Sequence, residues 1–343
     1  MMKDSNVFTE EFTTSSAADP LNHRVLITPP FIRPGDPIDT YLREHGIETI
    51  FNETGKKLGP EALAQAIQHV DGVIVAGEKL DAEVLVNAKR LRVVARTGVG
   101  YDQIDVPYLS QRGISVCVTA GMNHRSVAEM ALTHLLMAAK RIPESHREYE
   151  QGIWLRPIGR ELGNTTIGII GLGTIGKRLV ELLKPFGCRV LAYDLYPDRD
   201  FAALHGVEFH DWQYVLAESD FLSLHLFLNA ESRHWLDAEK ISIMKSDAVV
   251  VNTARGGVID EHALIEAIDS GRLAGAGLDV TQNEPLPLDD PLRGNSRIFV
   301  TPHLGGSTRE ARSFGGMKAA KNIVSVLQGT ITEDVINQEA LQR

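Results

Sequence analysis

The chain has 343 residues, with 35 Lys and Arg against 45 Asp and Glu, which gives a formal charge of −10 at pH 7. This acidic balance argues against a nucleic-acid binder, because affinity for the phosphate backbone depends on clustered Lys and Arg. No apolar run approaches the roughly 18 residues of a membrane-spanning helix, and the length predicts two domains with a cleft between them.

Residues 1–23 are rich in Ser, Thr and acidic groups. They lack both the apolar core of a signal peptide and the Arg-rich, acid-poor character of a transit peptide, so we predict a disordered tail and a cytoplasmic protein. Cys117 and Cys188 have neither a CxxC pair nor a His cluster beside them. The sequence therefore predicts no disulfide framework and no metal site, and it assigns both thiols to packing.

From Arg24 onward, short β-branched runs alternate with amphipathic segments, a rhythm typical of βαβ units on a parallel sheet. The predicted strands of this first series are Val25–Thr28, Glu48–Phe51, Gly72–Ala76, Arg92–Arg96 and Ser115–Val118.

A long helix is predicted after the first series. Ser126 and Glu129 match an S-x-x-E capping box, and apolar residues recur at helical spacing from Val127 until Pro143. Such a helix is long enough to bridge two domains.

A second βαβ series opens at Thr165, and a further helix is predicted from Thr308 to about Leu327. Its predicted strands are Thr166–Ile170, Arg189–Ala192, Phe221–Leu226, Ala248–Asn252, Ala276–Asp279 and Ile298–Thr301.

The second series carries a G-x-G-x-x-G turn between its first strand and a helix. Gly171 permits the tight turn, Gly173 lets the backbone approach a pyrophosphate, and Gly176 lets the helix pack closely on the strand. The N–H groups of the first helical turn suit phosphates. The predicted dinucleotide-binding residues here are Gly171, Gly173, Thr174, Ile175 and Gly176.

Asp194 ends the next strand, 194 − 176 = 18 residues after the last glycine of the turn. A carboxylate about 20 residues on accepts from the ribose 2′-hydroxyl and repels a 2′-phosphate. The sequence therefore predicts NAD as the cofactor, and Arg199 nearby leaves some tolerance of NADP open.

Three further residues follow successive strands of the same domain: Arg255, Glu284 and His303. Ligands of open α/β sheets bind beyond the carboxyl ends of the strands. A guanidinium can grip a carboxylate bidentately, an imidazole suits general acid/base work, and a neighbouring carboxylate orients its ring. This set favours hydride transfer between a nicotinamide and a 2-hydroxy or 2-keto acid.

The motifs resemble the D-isomer-specific 2-hydroxyacid dehydrogenase family, in its phosphoglycerate dehydrogenase-like branch. The resemblance covers roughly Arg24 to the C-terminus. It rests on Gly171–Gly176 with Asp194, Asn252–Gly256, Leu278–Val280 with Glu284-Pro285, and Thr301–His303.

This resemblance implies that Arg255 binds and polarises the substrate, that His303 is the proton carrier, and that Glu284 is its partner. It also places Asp279 at the nicotinamide amide and Thr253 in the cofactor site. The loop Arg96–Asp102 is implied to bind the substrate carboxylate through backbone N–H groups near Val99 and Gly100, a task that suits a glycine-rich turn.

The implied fold has two doubly wound parallel-sheet domains, with a Rossmann NAD-binding domain inserted into a flavodoxin-like substrate domain. Residues 24–122 and 308–343 would form the substrate domain and residues 123–307 the cofactor domain. The family resemblance also implies a homodimer formed through the cofactor domain. Trp154 is expected either in that interface or in an ordinary core position.

Two questions stay open from the sequence. Phosphoglycerate dehydrogenases place a phosphate-binding Arg where this chain has Ala76-Gly77-Glu78, so phosphohydroxypyruvate is not the expected substrate. The alternative function is an NADH-sensing binding protein, since some transcriptional corepressors resemble the same family. Fold alone does not separate an enzyme from such a sensor.

Overall fold

The computed structural model describes residues 23–341. Residues 1–22, nearly all of the predicted tail, lie outside the described range. The tail was expected to include His23, but His23 begins the first strand, β1 (His23–Ile27), and pairs with Ile47 of the parallel strand β2 (Ile47–Phe51). The strand begins earlier than predicted because its backbone continues the hydrogen-bonded ladder.

The first sheet contains β1, β2 and three further strands, all paired in parallel: β3 (Gly72–Val75), β4 (Val93–Arg96) and β5 (Ser115–Cys117). The strand order is β2-β1-β3-β4-β5, the flavodoxin-like order that was predicted. The helices between these strands are α1 (Pro37–Glu44), α2 (Pro60–Ala66), α3 (Ala82–Leu85) and α4 (Val106–Gln111).

The predicted bridging helix is divided into α5 (His124–Ala139) and α6 (Ile142–Glu150). The capping box was wrong: Asn123 is the N-cap, and the Ser126 hydroxyl lies inside the helix and donates to the Gly305 carbonyl. Pro143 does not end the long helix. It sits in the first turn of α6, where a missing N–H costs nothing, and left-handed Arg141 (φ 53°) separates the two helices.

The second sheet has seven parallel strands in the order β12-β11-β10-β9-β6-β7-β8, the doubly wound Rossmann order with one additional strand. Strand β8 was not predicted, because the exposed Glu208 at its centre leaves it with only two apolar residues. The strands are β6 (Thr166–Ile170), β7 (Arg189–Tyr193), β8 (Val207–Phe209), β9 (Phe221–Leu224), β10 (Val249–Asn252), β11 (Gly275–Leu278) and β12 (Ile298–Val300).

The helices of this second unit are α7 (Thr174–Leu183), α8 (Arg199–His205), α9 (Trp212–Glu218), α10 (Ala238–Ile243), α11 (Glu261–Asp269) and α12 (Pro291–Gly294). Five of them, α8 to α12, begin at an Asp whose side chain accepts a backbone N–H of the first turn. These caps satisfy amides that have no partner within the helix, and they account for part of the acidic composition.

The chain then returns to the first sheet through α13 (Arg309–Leu327) and ends its described part with α14 (Gln338–Leu341). Ala319 and Ile323 of α13 pack in one core with Val25 and Ile27 of β1. By contrast, α5 packs with the second sheet, where Ala131 lies in the core that contains α7. The helices α5 and α13 therefore carry the chain out of the first unit and back into it.

Both cysteines are packing residues, as predicted. Cys117 is fully buried beneath α13, and burial raises the pKa of its thiol to about 12. Cys188 is partly buried against the second core. Within residues 23–341, no group of three or more His, Cys, Asp and Glu side chains is arranged to hold a metal ion. In the same residues, every helix is too short or too polar to cross a bilayer.

Trp154 is not a core residue, so one of its two expected positions is wrong. Its side chain is 79% exposed and makes an edge contact with Tyr149 of α6, whose own side chain is 61% exposed. Ile158, a few residues on, is 90% exposed. The segment from α6 to Ile158 thus presents a run of large apolar side chains away from either core, a pattern that marks contact surfaces.

Candidate active site

The carboxyl ends of strands in both sheets open onto one cleft. The larger part of the cleft has a volume of about 1310 Å³ and is lined by Asp102, Glu284 and neighbouring residues, and an adjoining part of about 580 Å³ is lined by the Gly173 turn. Both parts share Arg255 and His303. The structure therefore brings the predicted catalytic residues and the predicted dinucleotide turn to one place.

The glycine turn has the geometry that a bound pyrophosphate needs. Gly171 has a φ of +92°, and a methyl group added there would lie 2.8 Å from the His225 carbonyl oxygen. A methyl group on Gly176 would lie 2.5 Å from the Gly171 carbonyl oxygen. Gly173 is different, because nothing lies within 4 Å of its added methyl group. Open space therefore faces the first amides of α7, where Thr174 and Ile175 line the cavity.

Two further residues fit a dinucleotide. Asp194 follows β7, and its carboxylate accepts the Leu172 N–H at 2.7 Å and the Tyr196 N–H at 2.8 Å. These bonds hold the carboxylate against the glycine turn, and each oxygen retains a lone pair for a hydroxyl donor. Thr253 lines the cavity, and its buried hydroxyl has no partner among residues 23–341. An unpaired buried hydroxyl is costly unless a ligand satisfies it.

Arg255 is held at the cleft by two hydrogen bonds. Its Nε donates to Asp102 Oδ1 at 2.8 Å, and its Nη1 donates to the Ala254 carbonyl at 2.8 Å. Burial opposes the ionisation of Asp102, but the charge and hydrogen bond of Arg255 hold the pKa of that carboxyl below its usual value. Nε and one proton of Nη1 are therefore engaged, which leaves the second proton of Nη1 and both protons of Nη2 as donors.

His303 and Glu284 meet as predicted. His303 Nδ1 lies 2.7 Å from Glu284 Oε2, and the other carboxylate oxygen accepts the Thr281 N–H at 3.2 Å. Burial opposes the ionisation of Glu284, yet His303, the Thr281 N–H and the charge of Arg255 hold the pKa of that carboxyl below its usual value. With Nδ1 directed at the carboxylate, the ring has Nε2 left for a substrate oxygen.

Asp279 is 1% exposed and has a structural role that the sequence did not predict. Its Oδ1 accepts from the Thr301 hydroxyl at 2.6 Å and the Leu304 N–H at 2.8 Å, and its Oδ2 accepts the Gly305 N–H at 2.7 Å. Asp279 lines the cleft beside His303, and its carboxylate orients the loop that carries His303.

The loop with Val99 and Gly100 lies directly against Arg255. A methyl group on Gly100 would overlap the Arg255 guanidinium, so only glycine allows this approach. Both loop residues line the cleft. Arg96 at the end of β4 also lines it and lies over Gly98. Burial and the nearby positive charge of Arg255 lower the pKa of Arg96 to about 10, which leaves it charged at neutral pH.

Glu78 does not face the cleft as an isolated negative charge. It is 3% exposed, and its Oε2 accepts the N–H groups of Ala76 at 2.9 Å and Gly77 at 3.1 Å. Its charge also favours the protonated form of Arg96. The acidic residue that replaces a phosphate-binding arginine therefore stabilises its own turn.

Sequence reasoning did not single out Asp102 or Arg96 as site residues, although both stand in the loop it identified. Their positions in the sequence could have identified them as site residues, because Arg96 ends a strand and Asp102 follows the glycines that cover Arg255. Glu261 is a third residue that sequence reasoning did not single out. It lies near enough to Glu284 for their charges to interact, and its Oε1 accepts the Gln282 N–H at 2.7 Å. Burial and the negative charges of Asp290 and Glu284 raise its pKa to about 7.

Comparison with known proteins indicates the same family that the sequence motifs resemble. The family whose model matches residues 132–305 is described as D-isomer specific 2-hydroxyacid dehydrogenase, NAD binding domain. A D-3-phosphoglycerate dehydrogenase from Methanocaldococcus jannaschii is 39% identical over 83% of this chain and 55% of its own length. A glyoxylate reductase from Korarchaeum cryptofilum is 36% identical over 82% of this chain and 87% of its own length.

The chain thus spans about half the length of the phosphoglycerate dehydrogenases that it matches and most of the glyoxylate reductase. Among solved structures, D-lactate dehydrogenase from Aquifex aeolicus, complexed with NAD and lactic acid, matches with a TM-score of 0.76 at 26% identity. The match covers 93% of this chain and 97% of that one. The cleft described above is therefore that of a fold that binds NAD.

Proposed function

The chain belongs to the D-isomer specific 2-hydroxyacid dehydrogenase family, and on that premise we propose that it transfers a hydride between NAD(H) and a D-2-hydroxy acid or its 2-keto acid. The observation that carries the proposal is the His303–Glu284 pair, 2.7 Å between Nδ1 and Oε2, which shares one cleft with Arg255. A proton carrier and a cation on the same cavity are what reduction of a keto acid needs.

When bound in the cleft, NADH would supply the hydride that reduces the carbonyl carbon of the 2-keto acid. His303 Nε2 gives its proton to the carbonyl oxygen, which becomes the hydroxyl of the product, and in oxidation the neutral ring takes that proton back. Glu284 stabilises the imidazolium and fixes the ring. Arg255 offers its terminal nitrogens to the carboxylate and carbonyl, and the N–H groups of Val99 and Gly100 are proposed to bind the carboxylate as well.

The cofactor site is proposed to consist of Gly171, Gly173, Thr174, Ile175 and Gly176 for the pyrophosphate, Asp194 for the adenosine ribose, and Thr253 and Asp279 near the nicotinamide. The open space above Gly173 and the unpaired hydroxyl of Thr253 support this assignment. The pairing of Asp194 with the Leu172 N–H supports NAD over NADP, since it sets a negative charge beside the turn.

We also propose that residues 24–122 and 308–343 form a substrate domain that closes on a cofactor domain of residues 123–307. Closure would exclude water from the hydride path. A homodimer is proposed, with a second copy of this chain covering the exposed run that contains Tyr149, Trp154 and Ile158. The size and exposure of these apolar side chains support such a contact.

The substrate is proposed to be a small 2-keto acid without a phosphate, because Ala76-Gly77-Glu78 offers no cation at that position. Steady-state oxidation of NADH with glyoxylate, hydroxypyruvate and phosphohydroxypyruvate tests both the reaction and the substrate class. We expect turnover with glyoxylate or hydroxypyruvate and a lower kcat/KM with the phosphorylated acid. A much higher kcat/KM for phosphohydroxypyruvate would mean that other cations, such as Arg96, hold the phosphate.

The second candidate is an NADH-sensing binding protein, which the exposed apolar run favours because a sensor needs a contact surface that responds to the cofactor. The same assay, together with NADH binding and the assembly state measured with and without NADH, separates the enzyme from the sensor. If NADH binds and changes the assembly state, but no 2-keto acid of the panel is reduced, the sensor function replaces the enzyme.

A further inference from the structure

We propose that His134 is a positioning residue for the catalytic loop, defined here as Thr301–Gly305, and that it acts through Thr301 and Asp279. The proposal rests on the proposed function, since it concerns how His303 is held. His134 lies on α5, 167 residues from Thr301 in sequence, and its side chain is fully buried.

Three side chains form a continuous hydrogen-bonded path from α5 to the loop. His134 Nε2 lies 3.0 Å from Thr301 Oγ1, and Thr301 Oγ1 lies 2.6 Å from Asp279 Oδ1. The Asp279 carboxylate can only accept, so the single hydroxyl proton of Thr301 points to Asp279. The Thr301 oxygen must then accept from His134, which assigns the proton of the neutral imidazole to Nε2.

The remaining nitrogen agrees with this tautomer. His134 Nδ1 is buried, and no acceptor within the described residues meets the geometry of a hydrogen bond with it, so a proton on this nitrogen would lack a well-placed partner. Burial lowers the pKa of His134, against the charge of Asp279 and the backbone of Gly277, and so favours the neutral ring. Within the described residues, the contact with Thr301 is the one hydrogen bond of the ring that has normal geometry.

Asp279 in turn fixes the residues that follow Thr301 by hydrogen bonds. Its side chain accepts the N–H groups of Leu304 and Gly305, and its backbone carbonyl accepts the His303 N–H at 2.9 Å. His303 itself has a φ of 56°, a left-handed conformation that is unfavourable for a residue with a Cβ. Such a conformation persists only when its surroundings determine it, and these hydrogen bonds are those surroundings.

The second sheet leaves space for the His134 imidazole beside Gly277. His134 stacks on Phe299 of β12 with ring centroids 4.8 Å apart. A methyl group on Gly277 of β11 would lie 2.8 Å from His134 Nδ1, so the glycine admits the ring. At the other end of the loop, Ser126 of the same helix donates to the Gly305 carbonyl. Helix α5 thus holds both ends of the catalytic loop.

The test compares variants that keep or remove the directed hydrogen bond. His134→Phe keeps the stacking but has no donor, whereas His134→Gln keeps an N–H near the position of Nε2. Thr301→Val removes the middle of the path, and Thr301→Ser keeps it. We expect kcat for 2-keto acid reduction to fall about 5- to 100-fold in His134→Phe and Thr301→Val. The Gln and Ser variants should recover most of it, and the Kd of NADH should change less than about twofold in all four.

Two measurements separate positioning from simple packing. Adding His134→Phe to Thr301→Val should lower kcat by less than a further factor of about two, because the path is already broken. Hydrogen exchange of the Leu304 and Gly305 amides, measured without substrate, should be about tenfold faster in His134→Phe than in His134→Gln.

The outcomes are distinct. Equal kcat and equal amide exchange in the Phe and Gln variants would overturn the proposal and leave His134 as a packing residue. Multiplicative losses in the double variant would also overturn it, because the two residues would then act separately. If the unmodified protein reduces no 2-keto acid, but the exchange difference is found, the proposed function fails while the positioning of the loop stands.

Discussion

Arg255 and Asp102 join the two halves of the molecule across the cleft, with Arg255 Nε 2.8 Å from Asp102 Oδ1. The two residues are 153 positions apart in sequence, and they follow β10 of the second sheet and β4 of the first. The first sheet therefore sets the orientation of a guanidinium carried by the second. This coupling means that the cation proposed to bind substrate is correctly placed only when the two sheets face each other closely.

Removing the charge of Asp102 should reveal this dependence. In Asp102→Asn the Nε of Arg255 loses its charged acceptor, so we expect kcat/KM for the 2-keto acid to fall about tenfold, mainly through KM. Steady-state kinetics and NADH fluorescence titration measure the two effects, and the Kd of NADH should be unchanged. Asp200→Asn, which changes an exposed aspartate on α8, is the matched control. An unaltered KM in Asp102→Asn would mean that Arg255 is oriented by its neighbours alone.

His303→Ala should lower kcat in both directions by roughly 10² to 10⁴ fold, the usual size of general acid/base catalysis, while NADH still binds. Reduction needs a proton on the His303 ring and oxidation needs the ring without it, so the loss should appear in both directions. His262→Ala, an exposed histidine on α11, should have no effect. Normal turnover in His303→Ala would remove His303 from the mechanism.

Glu284→Gln keeps a hydrogen-bond acceptor for His303 Nδ1 but removes the charge. We expect turnover to persist, but kcat for oxidation of the 2-hydroxy acid to fall about tenfold, because the imidazolium formed in that direction no longer faces a carboxylate. Steady-state kcat in the oxidising direction measures this loss. An unchanged kcat would show that the 2.7 Å contact does not govern proton transfer.

Asp194 should determine the choice of dinucleotide. NADH is expected to bind more tightly than NADPH, and Asp194→Ala should narrow the difference because the repulsion of a 2′-phosphate is removed. Fluorescence titrations with both cofactors give the ratio of Kd values. Equal affinities in the unmodified protein would contradict the assignment of this carboxylate to the ribose.

Glu261 should make stability depend on pH. Its pKa, raised by burial and by Asp290 and Glu284 from 4.5 to about 7, means that the folded protein retains a proton that the unfolded chain releases at lower pH. The contribution of Glu261 to the free energy of unfolding therefore falls as the pH rises from 4.5 to about 7 and is constant above that. Glu261→Gln mimics the protonated form.

We expect the Tm of Glu261→Gln to match that of the unmodified protein at the acidic end of this range and to exceed it by about 2–4 °C at pH values above it. Differential scanning calorimetry over the pH series measures the difference, and Glu266→Gln on the exposed face of the same helix is the control. A Tm difference independent of pH would mean that Glu261 does not retain its proton in the fold.

Much of the fold was predictable because the relevant signals are local. The Gly171–Gly176 turn, the strand before it and the helix after it depend on φ values and close contacts within one βαβ unit. The joint placement of Arg255, Glu284 and His303 was also predictable, since carboxyl ends of parallel strands meet at one sheet edge. The bounds of the long helix were not, because Ser126 bonds to Gly305 instead of capping its own helix.

The amino-acid sequence by itself determined the two parallel sheets, the dinucleotide turn and the residue types available for the chemistry. Periodicity and turn chemistry act over a few residues, and these features need no more than that. Only the tertiary structure decided that Asp102 holds Arg255 and that His134 reaches the catalytic loop. Contacts such as Arg255–Asp102 and His134–Thr301 join residues more than 150 positions apart. They depend on how whole sheets and helices pack against each other, which no local pattern encodes.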